Sequence, residues 1–201
     1  MLFRSKSVGL NGVGTKAVNA LSEYFKVKAF REGKEKIAEF TRGALSKEHK
    51  EAATKESNGT EVIFIPDEQI FRNYHFIPDY IEKQLWNYCY LNAGLQINFN
   101  GKKFVSKNGL LDLLHRNTNE DELRYPVIHL KGEDIEVAIS HNNEYGEDIY
   151  SFVNGQYTTQ GGTHVLAFRE AFVKTIRDFF KKDYDTSDIR QSIVAAIAVR
   201  V

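Results

Sequence analysis

Gly9-Leu10-Asn11-Gly12-Val13-Gly14 runs directly into a helix-like stretch, Thr15-Lys16-Ala17-Val18-Asn19-Ala20-Leu21. Bare backbone leading into a helix start presents unpaired N–H groups and the positive end of the helix dipole, which together suit a phosphate. The pattern is G-x-x-G-x-G. It is neither the dinucleotide fingerprint nor a Walker A loop, because no Gly-Lys-Ser/Thr follows. Taken alone, glycines for a tight turn are the simpler reading, with Lys16 solvated. A second glycine pair, Gly161-Gly162-Thr163-His164, precedes another helical pattern, with Thr163 placed to cap it. It reads as a phosphate or nucleic-acid contact, or as a flexible strand-to-helix turn. His164 has no partner at metal or triad spacing, and His49, His75, His115, His129 and His141 are scattered. With no HExxH and no cysteine pair, no zinc site is expected. Asp183, Asp185 and Asp188 near Arg190 suit Mg²⁺, or an acidic helix start capped by Ser187 or Asp188, with Arg190 exposed or salt-bridged. Cys89 beside Trp86 reads as a core thiol, and Trp86, Tyr88 and Tyr90 as core aromatics.

Those residues sit in an ordinary globular composition. The 201 residues suffice for one large domain or two small ones; hydrophobic residues make up 42% and charged residues 27%. Lys+Arg and Asp+Glu are 27 each, for a formal net charge of zero, which argues against a nucleic-acid binder held by bulk charge. No apolar run approaches a membrane span, and the start Met1-Leu2-Phe3-Arg4-Ser5-Lys6-Ser7 lacks a signal-peptide core. The single cysteine makes a reducing cytoplasm the default.

The elements that position these residues follow from periodicity. Val13, Ala17, Ala20, Leu21 and Tyr24 predict a first amphipathic helix of about three turns. Phe25 to Arg31 alternates as a strand, Arg31-Glu32-Gly33-Lys34 reads as a tight turn, and Ile37 to Thr41 as the return strand. Ala44 to Gly59 is polar without period and reads as a surface loop; Glu61 to Pro66 reads as a short buried strand. Pro78 to Asn92 predicts a second amphipathic helix with Ile81, Leu85, Trp86 and Cys89 inward. Asn100-Gly101 joins the strands Leu95–Phe99 and Lys103–Val105. Leu110 to Leu114 reads as a short helix and Asn117 to Arg124 as a loop. Val127–Leu130, Ile135–Ser140 and Ile149–Val153 read as strands. Val165, Phe168, Phe172, Ile176 and Phe179 stripe a long helix. The apolar run Ile193 to Val201 suits a strand covered on both faces. The fold class is α+β, in two parts meeting near residue 100. Both ends of the chain read as truncated.

Taken together, the motifs resemble a known family. Gly9 to Gly14 with Ala17-Val18-Asn19-Ala20-Leu21-Ser22 is similar to the ATP-lid motif of type IIA DNA topoisomerases, most of all the B subunits of bacterial gyrase and topoisomerase IV. Arg31-Glu32-Gly33-Lys34, Gly59-Thr60 and Leu91-Asn92-Ala93-Gly94-Leu95 continue the resemblance in order. Tyr150-Ser151-Phe152-Val153-Asn154, then Gly161-Gly162-Thr163-His164 with Phe168-Arg169, resemble the transducer signature. Asp188-Ile189-Arg190 and Ile193-Val194-Ala195-Ala196 resemble its closing strand. The wording Val153-Asn154-Gly155-Gln156 and Thr158-Thr159-Gln160 is nearer topoisomerase IV.

The resemblance implies that residues 1–100 form the C-terminal part of a GHKL (Bergerat-type) ATPase domain. Residues 101–201 would form a transducer domain with a left-handed βαβ crossover, incomplete at its C-terminal end. It implies ATP as ligand and Mg²⁺ in the parent enzyme. The partners it implies are a DNA duplex, the topoisomerase A subunit and a second copy of the ATPase subunit itself. Gly9, Leu10, Asn11, Gly12, Val13, Gly14 and Thr15 would cradle the phosphates. Thr60 would help hold the adenine, Arg31 would stand at the rim that aminocoumarin inhibitors exploit, and Arg169 would face the DNA cavity or form a structural ion pair. Asn11 stands where many members carry histidine. The family's catalytic glutamate, Mg²⁺-binding asparagine and γ-phosphate lysine find no match here. The chain alone is therefore expected to be inactive, with no catalytic or metal residue of its own. A non-enzymatic DNA- or partner-binding module, or another GHKL ATPase, is the alternative.

Overall fold

A computed structural model describes residues 13–201. The described residues form two compact units, one running to Phe76 and the other starting at Ile77. Packing thus divides the chain before the second amphipathic helix, earlier than the division near residue 100 read from the sequence, because that helix packs on elements that follow it.

The first unit opens with helix α1 (Gly14–Ala20) and continues with strands β1 (Ser22–Arg31), β2 (Lys34–Thr41), β3 (Ala44–Glu48), β4 (Ala52–Ala53) and β5 (Gly59–Pro66). They form an antiparallel sheet ordered β3-β2-β1-β5, with β4 also on β2. The β1–β2 turn is the expected two-residue hairpin, with Glu32 and Gly33 both at positive φ (52° and 75°) as a turn matching strand twist requires. Phe25 and Phe40 face each other across β1 and β2, with ring centroids 6.1 Å apart.

Three sequence expectations fail in this unit, each for a local reason. The first helix is shorter than expected: it closes at Leu21, Ser22 Oγ donates to the Val18 carbonyl at 2.6 Å, and Tyr24 already lies on β1. The stretch Ala44–Gly59 is not a loop throughout; it holds β3 and β4, whose residues are all exposed and so carry no apolar period to read. Finally, β5 is a strand but not a buried one. It stands at the sheet edge with Val62, Ile63, Phe64 and Ile65 each 40–47% exposed among the described residues.

The second unit begins with helix α2 (Pro78–Leu91), the hairpin β6 (Gln96–Phe99) and β7 (Lys102–Val105), and helix α3 (Leu110–Asn117). A single 3₁₀ turn (Glu120–Glu122) then leads into β8 (Ile128–Lys131), β9 (Ile135–His141), β10 (Glu147–Val153) and β11 (Gln156–Tyr157). Helices α4 (Thr163–Phe180) and α5 (Thr186–Arg190) precede the last strand, β12 (Ile193–Val199). The sheet runs β11-β10-β12-β9-β8. β10 and β12 are parallel, so α4 and α5 form the crossover that parallel strands require.

β12 is covered on both faces, as its apolar run predicts. Val194 and Ala196 enter a cluster with Tyr90, Leu110, Leu113, Leu114 and Phe152. Ile193, Ala195 and Ile197 enter a second cluster against Phe168 and Phe172 of α4. Trp86 stacks on Tyr90 at 5.5 Å and meets Phe104 edge-on at 5.3 Å, and Cys89 is fully buried. Tyr88, by contrast, points outward rather than into the core. Among the described residues no helix is long and apolar enough to cross a membrane.

Candidate functional site

In the first unit, Gly9, Leu10, Asn11 and Gly12 of the glycine loop lie outside the described residues. Its end is described: Val13 is the N-cap of α1, Gly14 and Thr15 are the first two helical residues, and all three are exposed. No side chain among the described residues caps this helix, and its first turn holds no carboxylate. Such a helix start keeps its positive end and its N–H groups available to an anion. The far end of α1 rests on the β2–β3 turn, where Gly43 sits at φ +80°. A Cβ there would stand 3.2 Å from the Ala20 Cα, so at this φ glycine allows the approach with the least strain.

Thr60, the second residue of β5, stands opposite Ala29 of β1. Arg31, the last residue of β1, is exposed, and among the described residues its side chain reaches only Glu32, at 3.4 Å. The turn after Arg31 and the start of β5 are joined: the Glu32 N–H donates to Asn58 Oδ1 at 2.8 Å. Arg31 and Thr60 are thus brought to the same end of neighbouring strands, two residues of β1 apart in register.

In the second unit, Gly161 (φ +70°) and Gly162 (φ +148°) make the turn into α4. Gly162, not Thr163, is the N-cap, and no side chain among the described residues caps the helix. His164 packs at this turn with Nε2 3.3 Å from Thr158 Oγ1, and burial pushes its pKa down. The acidic cluster resolves into capping and pairing. Asp185, rather than Ser187 or Asp188, caps α5 by accepting from the Ser187 N–H at 2.7 Å, and Asp183 lies 3.1 Å from Arg177. Among the described residues no group of His, Cys, Asp or Glu is arranged to hold a metal ion.

Arg169 and Arg190 meet at one carboxylate. Arg169 of α4 donates to Glu147 Oε2 at 2.8 Å through Nε, with its Nη2 at 2.6 Å; Arg190, the last residue of α5, donates through Nε to Glu147 Oε1. Glu147 opens β10 and its side chain is 13% exposed. Burial raises its pKa, but the hydrogen bonds from Arg190 and Arg169 outweigh burial and hold the carboxyl below its usual range. Both arginines also line a cleft of about 390 Å³ between α4 and α5, together with Lys174 and Arg177. Glu147 is not singled out by the sequence. His141, one of the scattered histidines, has Nδ1 2.5 Å from the Tyr125 hydroxyl and Nε2 3.4 Å from the Ile189 carbonyl.

The family model described as DNA gyrase B matches residues 100–201, half of the chain. The chain belongs to the DNA gyrase B family. Among curated relatives, the B subunit of DNA topoisomerase 4 from Borreliella burgdorferi is 48% identical over 195 residues, which is 97% of this chain and 32% of the relative. The B subunit of DNA gyrase from Thermotoga maritima is 34% identical, across 97% of this chain and 35% of its own length. This member of the DNA gyrase B family therefore spans about a third of those relatives. Among solved structures, the 43K ATPase domain of Thermus thermophilus gyrase B, in complex with an aminocoumarin, superposes with a TM-score of 0.76. It is 29% identical, covering 96% of this chain and 60% of that one. The ATPase region of Saccharomyces cerevisiae topoisomerase II shares the fold at a TM-score of 0.75 and 22% identity, over 98% of this chain and 53% of that one. The described residues have the α+β, GHKL-type fold of the family.

Proposed function

We propose that this chain is the lid-to-transducer segment of the ATPase subunit of a bacterial type II DNA topoisomerase. In that reading, ATP binding and hydrolysis drive the passage of one DNA duplex through another. The observation that carries it is the likeness to the Borreliella topoisomerase 4 B subunit, 48% identical over 97% of this chain and 32% of the relative. Residues 1–100 are read as the C-terminal part of the ATPase domain, and residues 101–201 as the transducer.

The proposed roles follow the family resemblance. Gly9, Leu10, Asn11, Gly12, Val13, Gly14 and Thr15 hold the ATP phosphates through backbone N–H groups. Among the described residues the start of α1 carries no capping side chain and no acid, which supports that role, since a capping carboxylate would compete with the phosphate. Thr60 supports the adenine, Arg31 stands at the pocket rim, and Arg169 belongs to a surface facing duplex DNA. ATP supplies the phosphoryl group. Mg²⁺ is read as bound in the whole protein by groups other than the described residues, which bring no ligand set together. The partners in this reading are the topoisomerase A subunit and a second copy of the ATPase subunit.

The test replaces the matched segment of the Borreliella protein with this chain and measures ATP-dependent relaxation with the cognate A subunit. Retained, ATP-dependent relaxation is expected. A folded chimera that hydrolyses no ATP and relaxes no DNA would refute the assignment. The 201-residue chain alone is expected to turn over no ATP. Phosphoryl transfer is mostly positioning and charge stabilisation, by a base, a metal and a lysine whose family motifs find no match in this sequence. Magnesium-dependent turnover by the purified chain would overturn that expectation.

A further inference from the structure

Two arginines on one carboxylate leave the cations of the α4–α5 cleft, which Glu170 and Asp178 also line, partly neutralised from within. Of the four cations lining the α4–α5 cleft, Arg169 and Arg190 are held by Glu147. Arg177 is tied to the Tyr184 carbonyl at 2.9 Å and Thr186 Oγ1 at 3.2 Å. Lys174 alone of the four has no side-chain ion pair or hydrogen bond among the described residues. Guanidinium forks bind carboxylate and phosphate through the same paired N–H geometry. A carboxylate standing behind two cleft arginines occupies the donors a phosphodiester would use.

We propose that Glu147 is an internal counter-anion that competes with DNA phosphate for Arg169 and Arg190, and so sets how tightly the α4–α5 cleft grips duplex DNA. This rests on the reading of Arg169 as DNA-facing. The arrangement makes the grip adjustable. The two arginines come from α4 and α5 and the carboxylate from the first residue of β10, so a small shift of either helix along the strand exchanges an internal partner for an external one. A role confined to stability makes the opposite prediction for DNA binding. Loosening the helices would weaken binding or leave it unchanged.

The test measures anisotropy of a fluorescein-labelled mixed-sequence duplex with the full 201-residue chain across a salt series. Four proteins are compared: wild type, Glu147→Gln, the control Glu170→Gln, and the triple variant Glu147→Gln/Arg169→Gln/Arg190→Gln. Glu170 lines the same cleft, and its removal changes net charge equally without touching the arginine pair. Freeing two cations for phosphate steepens the slope of log K against log salt by about 1–2. Glu147→Gln is therefore expected to bind several-fold tighter at low salt with that steeper slope. Glu170→Gln should keep the wild-type slope, and the triple variant should lose the gain. Circular dichroism verifies that each protein is folded. Binding by wild type with an unchanged slope in Glu147→Gln, or an equal change in Glu170→Gln, overturns the competition and leaves the DNA-facing reading standing. No duplex binding by wild type and Glu147→Gln alike overturns both.

Discussion

Replacing Phe152 with alanine tests the core that carries the parallel pair β10–β12. Phe152 is 1% exposed and packs with Tyr90, Leu113 and Leu114. A phenylalanine buries about 150–250 Å², worth roughly 4–6 kcal/mol at about 25 cal/mol per Å². Alanine retains part of that area, and the cavity left behind adds a penalty, so Phe→Ala losses run about 3–5 kcal/mol. Tyr157, whose ring centroid lies 5.4 Å away, sits half-exposed on a two-residue strand and can lean into the gap. The loss here should therefore fall near the lower end, about 3 kcal/mol. The assay is urea denaturation followed by the emission of Trp86, the only tryptophan in the chain, which stacks on Tyr90 of the same cluster. With a slope of about 2 kcal/mol/M, the midpoint should fall by about 1.5 M. Ile128, on the edge strand β8 and about half exposed, gives the contrast: Ile128→Ala should cost less than about 1 kcal/mol. A Phe152→Ala loss below about 1 kcal/mol at unchanged slope would refute this placement of the core.

Gly109 precedes α3 at φ +64°, and a Cβ there would stand 3.1 Å from the Tyr90 carbonyl oxygen. Gly109→Ala is therefore expected to cost about 1–3 kcal/mol in the same denaturation assay, and a neutral result would count against this backbone. His141 is held below its ordinary pKa, by burial first and then by Arg124, against the Ile189 carbonyl that favours the charged form. Its folded pKa being depressed, the stability it contributes is present above the unfolded value near 6.5 and is lost as pH falls toward the folded value. Imidazole resonances should report a midpoint under about 6.5; a higher one would reverse the sign. Glu147 is likewise depressed, so wild type and Glu147→Gln should differ in stability at neutral pH and converge as acid protonates the carboxyl. A gap constant down to strongly acidic pH would sink that linkage. Ile63→Lys, placing a charge on the exposed edge strand β5, should reduce self-association by light scattering, since open apolar edges template pairing. Unchanged scattering would argue that the edge is not the sticky surface.

Most of the fold was legible because most elements carry their own period or punctuation. Asn100-Gly101 fixes the β6–β7 hairpin, with both residues at positive φ, and the stripe from Val165 to Phe179 marks α4. The continuous run Ile193–Val199 signals a strand with two covered faces, and two separate clusters cover it. What was illegible had lost its period to exposure. β3 shows no alternation because neither face is buried, and only its pairing with β2 makes it a strand. β5 errs the other way: Val62 to Ile65 look like core, yet burial depends on what stands beside the edge, and no composition encodes that.

The ion-pair site is the clearest case of information that lives in topology alone. Glu147 is 22 residues from Arg169 and 43 from Arg190, and no local pattern links them. The parallel pairing of β10 and β12 does. It sets Glu147 opposite Ile193, so the first residues of both strands lie at one end of the sheet, and Arg190 stands just before β12 at that same end. The crossover that joins parallel strands must return to that end, which carries α4 and α5 past Glu147. In an antiparallel pair the second strand would start opposite the end of the first, and Arg190 would stand near Val153 instead. The carboxylate meets its two arginines because the strands run the same way. Any sequence that keeps this crossover with an acid opening β10 and a base closing α5 brings the same charges together, whether or not the helices between them keep their length.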